Sequence, residues 1–364
     1  MSGASSTSGT SPLSGTSPMS GTLARPAAAP ALRRPRLGFL GVGWIGLDRL
    51  KAIDATGLAD IAALADASPE MVERAAEAAP GAERAETLEA LLRHDLDGVV
   101  IATPSALHAG QCLAALAAGV AVFCQKPLGR TGAETRAVVA AARRADRLLG
   151  VDFSYRFTEG MVALREEVVR GALGRLHAVD LTFHNAYGPD KPWFRDPALA
   201  GGGAMMDLGI HLIDLALWVL GFPEVERVES HLSAGGAPLA DPGRQVEDHA
   251  VATLTLAGGT VVRIAASWWL HAGQDAVIAA EFYGTAGGAA FRNVGGSFYD
   301  FTAERFERTA RRTLTAPPAE GREPWGGRAA ADWVRRLAAG ERFGPEAEEL
   351  VAVADVLDRV YRRG

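Results

Sequence analysis

The chain has 364 residues, a formal charge of −6, 48% hydrophobic and 22% charged residues. This is the balance of a globular protein; no run of Lys and Arg stands ready to neutralise phosphates and no continuous apolar run reaches bilayer-spanning length, which argues against nucleic-acid and membrane partners. Its two cysteines, Cys112 and Cys124, lack C-x-x-C spacing and read as small buried hydrophobes, in keeping with a cytoplasmic protein.

Residues 1–35 are expected to form a disordered tail, because a repeated Ser-Gly-Thr-Ser-Pro at 8–12 and 14–18 and an Ala/Pro stretch offer no core to offset the entropy of ordering. Arg33-Arg34 resembles a twin-arginine export signal, but the apolar stretch that follows carries a glycine motif instead of a cleavage site. Residues 37–40 make a short strand, and Gly41, Gly43 and Gly46 follow at G-x-G-x-x-G spacing before a helix expected over 47–55. In such a motif the first glycine makes the turn, the second admits a pyrophosphate, and the third packs helix on strand. Trp44 and Ile45 lie within the motif, on the helix end where the pyrophosphate would sit. A second strand, 61–65, ends at Asp66, roughly 20 residues beyond the last glycine, where a carboxylate reaches a ribose 2′-hydroxyl.

Ser68-Pro69-Glu70 opens another helix, with Ser as N-cap and Pro in the first turn. Strand 98–102 runs into Thr103, Pro104 and His108, and strand 120–124 into Gln125-Lys126-Pro127; helices at 88–93, 107–118 and 131–146 intervene, with an extended stretch at 149–153. Alternating strands and helices predict a parallel sheet covered on both faces over 36–152, with Gly41, Asp66, Thr103 and Lys126 at the strand ends where ligands gather. A cation at position 126 beside a nicotinamide ring would orient a hydroxyl or carbonyl; the alternative is a solvated strand-end lysine.

Residues 153–364 read differently. A helix at 158–170 and a long strand at 174–187 precede a Gly/Pro-rich loop, 188–203, of a length usually tied to function. The next helix, 205–220, carries Asp207, His211 and Asp214 within roughly 60° of arc on one stripe. Acid–base chemistry is one reading of that stripe; a buried ion pair and a metal site are the others, although no further metal ligands declare themselves. Strands at 225–231, 248–256, 260–269, 276–283 and 289–294 are joined by hairpin signals, so this sheet is expected to be mainly antiparallel, followed by helices at 327–339 and 345–362. Adjacent Trp268 and Trp269 are expected on opposite faces of a strand, one of them covered by a partner subunit.

The whole resembles the Gfo/Idh/MocA oxidoreductases in four stretches: Gly41 to Gly46, Thr103 to His108, Gln125-Lys126-Pro127, and Gly201-Gly202-Gly203 through Asp207, His211 and Asp214. The resemblance implies a Rossmann domain followed by an α+β domain with a large open sheet used for dimer or tetramer contacts. The last helix is expected to pack back on the first domain. The resemblance also implies sugar, cyclitol or sugar-derivative substrates and NAD(H) or NADP(H), of which Asp66 favours NAD(H). The cofactor set is then Gly41, Gly43, Trp44, Ile45, Gly46, Asp66, Thr103, Pro104, His108, Gln125 and Lys126. By the family's pattern Lys126 contacts the reacting oxygen, His211 exchanges its proton, and Asp207 holds substrate, with Tyr155, His184, Trp193 and Arg195 available for further contacts. No metal is implied. The family usually has Glu where this chain has Gln125. An NAD-assisted glycosidase, a dihydrodiol dehydrogenase and a non-catalytic cofactor sensor would share these motifs.

Overall fold

The computed structural model describes residues 34–321 and 323–363; the expected disordered tail, apart from Arg34 and Pro35, lies outside them. Arg34 and Pro35 belong to the fold, for the Arg34 guanidinium donates to Ala59 O at 2.7 Å and Asp60 N donates to Pro35 O. A six-stranded parallel sheet is built from β1 (Arg36–Leu40), β2 (Asp60–Ala65), β3 (Glu83–Arg84), β4 (Gly98–Ile101), β5 (Ala121–Cys124) and β6 (Leu149–Val151) in the order β3-β2-β1-β4-β5-β6. That is the doubly wound order, whose reversal between β1 and β4 opens a crevice at the strand ends. The crossovers are α1 (Trp44–Asp54), α2 (Pro69–Ala78), α3 (Leu88–Leu91), α4 (Ser105–Ala117) and α5 (Gly132–Ala145). Ser68 caps α2 through its hydroxyl, as expected, and Thr131, expected as the first helical residue, is instead the N-cap of α5. α1 starts at Trp44, three residues before the expected point, so the motif's second glycine is its N-cap.

The rest of the chain forms α6 (Glu159–Val169), β7 (Leu176–Asn185), α7 (Pro197–Ala200), α8 (Ile210–Leu220), β8 (Val225–Ala234), β9 (Ala237–Pro238), β10 (His249–Leu256), β11 (Val261–Ser267), β12 (Ala276–Gly284), β13 (Gly288–Asn293), β14 (Phe301–Glu307), β15 (Ala310–Thr315), α9 (Arg328–Ala338) and α10 (Glu349–Val360). Its nine-stranded sheet, β15-β14-β13-β12-β7-β11-β10-β8-β9, is antiparallel except where β7 meets β11. Gly258 and Gly259, both at positive φ, turn the β10–β11 hairpin that the sequence signals. α6 and α8 cover one face of this sheet. α9 returns to the parallel sheet, with Trp333 at 5.7 Å from Phe123 and against Gly98 and Gly150, where any Cβ would collide with its ring. α10 lies against α5, where Arg136 pairs with Asp355. One apolar core runs from Ile101 and Val122 of the first sheet through α8 to Leu181 and Val262 of the second.

Two expectations are corrected here. The segment Pro197–Leu220 is long and apolar enough to cross a bilayer by length and composition, but 83% of its most apolar 18-residue stretch is buried as the spine of this core. Trp268 and Trp269 do not flank a strand: β11 stops at Ser267, Trp269 takes φ 56°, and the two indoles meet at 5.9 Å. Trp268 is buried, whereas Trp269 lies with its ring against Gly188, where a side chain would collide with it, and stays 42% exposed.

Candidate active site

The glycine motif has the geometry its spacing requires. Gly41 takes φ +85° with Ala102 O and Thr103 N too near for a Cβ; a Cβ on Gly46 would stand 2.0 Å from Gly41 O; and Gly43 faces open space at the N-terminus of α1. That open approach, with no acidic residue in the first turn of α1, fits a dinucleotide pyrophosphate. Asp66 accepts from Val42 N at 2.7 Å and Ser68 N at 2.8 Å, so its carboxylate is fixed at the rim of the same crevice. A cleft of about 200 Å³ beside the motif is lined by Trp44 and also by Lys51 of α1 and Arg74 of α2, two cations the sequence reading passes over.

His108 braces the two strand ends. Its ring nitrogens lie 2.7 Å from Pro127 O and 2.7 Å from Thr103 O, so the one N–H of the neutral ring donates to one of these carbonyls and the ring sits wedged between the ends of β4 and β5. Burial lowers its pKa despite those two carbonyls. Pro104 caps α4, and the Thr103 hydroxyl donates to Gln111 at 2.5 Å. The Lys126-Pro127 peptide is cis.

At the end of β5, the Lys126 ammonium donates to Asp207 Oδ1 and to Asp207 O, both at 2.7 Å. The stretch expected as plain α-helix begins with a π turn, Met205–Gly209. In such a turn the hydrogen-bond ladder is displaced, which leaves a carbonyl free for an outside donor. Trp268 Nε1 donates to the other Asp207 oxygen at 3.1 Å. His211, one turn on, is buried with Nδ1 lacking a partner, its ring edge-on to Tyr155 at 5.1 Å and Phe153 at 6.3 Å. Burial first, then the charges of Lys126 and Arg49, hold its pKa well below the ordinary 6.5, so the ring is neutral at neutral pH. Tyr155 is buried between His211 and Trp325, and burial with the nearby Asp207 charge keeps its phenol protonated.

Asp214 leaves the stripe and enters a structural ion pair, one of the alternatives weighed above. Arg156 grips both its oxygens at 2.6–3.1 Å, pairs with Glu349 at 2.9 Å, and lies over the rings of Phe153, Trp218 and Phe222. His184 is also displaced from the expected site. Phe183 meets Tyr155 on the helix-covered face of β7, so His184 points to the open face, where it contacts Ser267 at 2.7 Å and stacks on His249. By the same alternation Asn185 shares the face of Phe183. Trp193 stacks on Phe194 at 3.9 Å, Phe194 meets Trp268 edge-on, and the Arg195 guanidinium lies over Trp269, so the loop's aromatic wall leads to Asp207.

Glu247 was not picked out by sequence reasoning. Fully buried, it accepts from Gly203 N at 3.0 Å, Met205 N at 2.8 Å and the Tyr361 hydroxyl at 2.7 Å, and so fixes the triple-glycine loop that leads into the π turn of Asp207 and the helix of His211.

Residues 35–153 match the family described as an oxidoreductase family with an NAD-binding Rossmann fold, and residues 161–290 match the GFO/IDH/MocA C-terminal domain. D-glucoside 3-dehydrogenase of Escherichia coli K12 is 32% identical over 203 residues, which are 53% of this chain and 58% of that one. The chain thus spans under two thirds of that relative's length. 1,5-anhydro-D-fructose reductase of Ensifer adhaerens is 30% identical over 71% of this chain and 76% of its own. Among solved structures, levoglucosan dehydrogenase in complex with NADH and levoglucosan superposes with a TM-score of 0.76 at 25% identity, covering 91% of this chain and 98% of that one.

Proposed function

Since this chain belongs to the Gfo/Idh/MocA oxidoreductases, we propose that it moves hydride between a nicotinamide cofactor and a secondary alcohol or ketone of a sugar, cyclitol or sugar derivative. The observation that carries this reading is the junction of Lys126, Asp207 and neutral His211 at the mouth of the crevice that the glycine motif opens. The names of the relatives, all of carbohydrate-derived compounds, support the substrate class.

A nicotinamide held in this crevice would supply the hydride acceptor for the substrate carbon. The hydroxyl proton must leave at the same time, and His211 is in the protonation state to take it. Lys126 offers a cation to the developing alkoxide, held in direction by Asp207. Asp207 in turn has its second oxygen fixed by Trp268, which leaves the pair nearly neutral and suited to an uncharged polyol. Tyr155 and the loop residues Trp193 and Arg195 bound the space beyond.

NAD(H) is the proposed cofactor, because Asp66 would accept from ribose hydroxyls and repel a 2′-phosphate. Lys51 and Arg74 are the groups that would oppose that preference, and comparison of kcat/KM with NADH and NADPH decides it; equal values overturn the NAD(H) assignment. A homodimer or homotetramer is proposed through the open face of the nine-stranded sheet, where Thr182, Val251, Ala265 and Ala279 are only partly buried. Cytoplasmic residence suits two buried free thiols. The function is tested by a screen of cyclitols, aldoses and ketosugars followed through NADH absorbance; turnover of one class and not the others assigns the substrate, and turnover of none overturns the reading.

A further inference from the structure

Behind Lys126 lies a buried polar network that the mechanism above does not use. The Asp152 carboxylate, at the end of β6, accepts from Arg49 Nε of α1 at 2.5 Å, from the Ser154 hydroxyl at 2.5 Å, and from Gln125 Nε2. Arg49 Nη2 also reaches Ser154 at 3.3 Å, and all four side chains are buried. A carboxylate only accepts, so the Gln125 amide has one orientation: its NH₂ toward Asp152 and its Oε1 on the opposite side. One N–H of the Gln125 amide is engaged by Asp152, so Oε1 faces away from that carboxylate as an acceptor. The negative charge absent at position 125 stands one hydrogen bond away, at Asp152, balanced by Arg49.

We infer that Asp152 is a positioning residue that fixes Gln125 with its Oε1 as an acceptor for the carboxamide NH₂ of the nicotinamide. The inference rests on the cofactor reading above. It adds that the polarity of residue 125 is set by its buried partner: Gln suits an acidic neighbour, and Glu at 125 would put two carboxylates on one site.

The test compares binding of NADH with binding of ADP-ribose, which lacks the nicotinamide, by calorimetry on the full chain. Asp152→Asn frees the amide to turn, and Gln125→Leu removes it while keeping the Arg49–Asp152 pair; each is expected to raise the NADH Kd about tenfold, roughly 1.4 kcal/mol, with the ADP-ribose Kd unchanged. Gln125→Leu keeps the test valid if Asp152→Asn leaves Arg49 uncompensated and fails to fold. Gln125→Glu is expected to weaken NADH similarly, and Gln125→Glu with Asp152→Asn to restore it. Equal changes in both ligands, or no change in Gln125→Leu, overturn the inference. Failure of the unaltered protein to bind either ligand overturns the cofactor reading as well.

Discussion

Lys126 and His211 each have a chemically narrow substitution. Lys126→Met keeps the stem and removes the cation; His211→Asn keeps a polar group and removes the titratable ring. Loss of a positioned proton-transfer or charge-stabilising group costs about 10²–10⁴ in rate, or roughly 3–5.5 kcal/mol. Both variants are expected to lose that much kcat with NADH affinity held, and the double variant to fall short of the product of the two losses. A variant keeping more than about a tenth of kcat, a loss under ~1.4 kcal/mol, would reduce that residue to packing. The depressed pKa of His211 also has a sign. Its neutral form is required for alcohol oxidation, so the acid limb of kcat is expected below pH 6.5 and is absent in His211→Asn. The unfolded chain takes up a proton near pH 6.5 that the buried ring refuses. Stability present above that pH is therefore lost as pH falls toward the folded pKa, at about 1.4 kcal/mol per pH unit. Urea titrations of the native protein and His211→Asn at two pH values check this, and parallel losses would show that the ring is not the group responsible.

The triple-glycine loop is the element on which site geometry depends. A Cβ on Gly203 would lie 1.8 Å from Glu247 O, and Glu247 supplies the acceptors for two loop N–H groups. Glu247→Gln turns an amide donor toward one of those N–H groups, at about 1–3 kcal/mol. It is expected to lower melting temperature and kcat while ADP-ribose still binds; unchanged kcat would show that the loop holds itself. This brace was illegible in the sequence because its partners lie 44 and 114 positions from Glu247. The glycine motif was legible because turn, open approach and close packing are local demands that only glycine meets. His184 was misread because proximity along the chain to the functional loop says nothing of strand parity, and Trp269 because a positive φ breaks the alternation assumed for it. β14 and β15 escaped notice: the arginines of β15, exposed on an edge strand, give no apolar alternation to read. The π turn hides in a helix of otherwise uniform apolar composition.

At the scale of the molecule the two sheets, one parallel and one mainly antiparallel, were legible from the change between helix-crossover and hairpin spacing. What spacing could not convey is how they are joined. α9 belongs to the second segment of chain yet covers the first sheet, and one apolar cluster runs from β4 and β5 into β7 and β11. Two domains with private cores melt independently, whereas a shared core cannot be half dissolved. Calorimetry is thus expected to give one endotherm, and two resolved endotherms would show the cores to be separable. NADH at a hundred times its Kd stabilises the native state by about 2.7 kcal/mol. Although the cofactor's contacts fall on the parallel sheet, circular dichroism of the β-rich half and fluorescence of Trp333 should report the same upward shift. A ligand held by one half of the chain would then govern the lifetime of the other, and the supply of reduced or oxidised dinucleotide would act on how long the whole protein survives as well as on how fast it turns over.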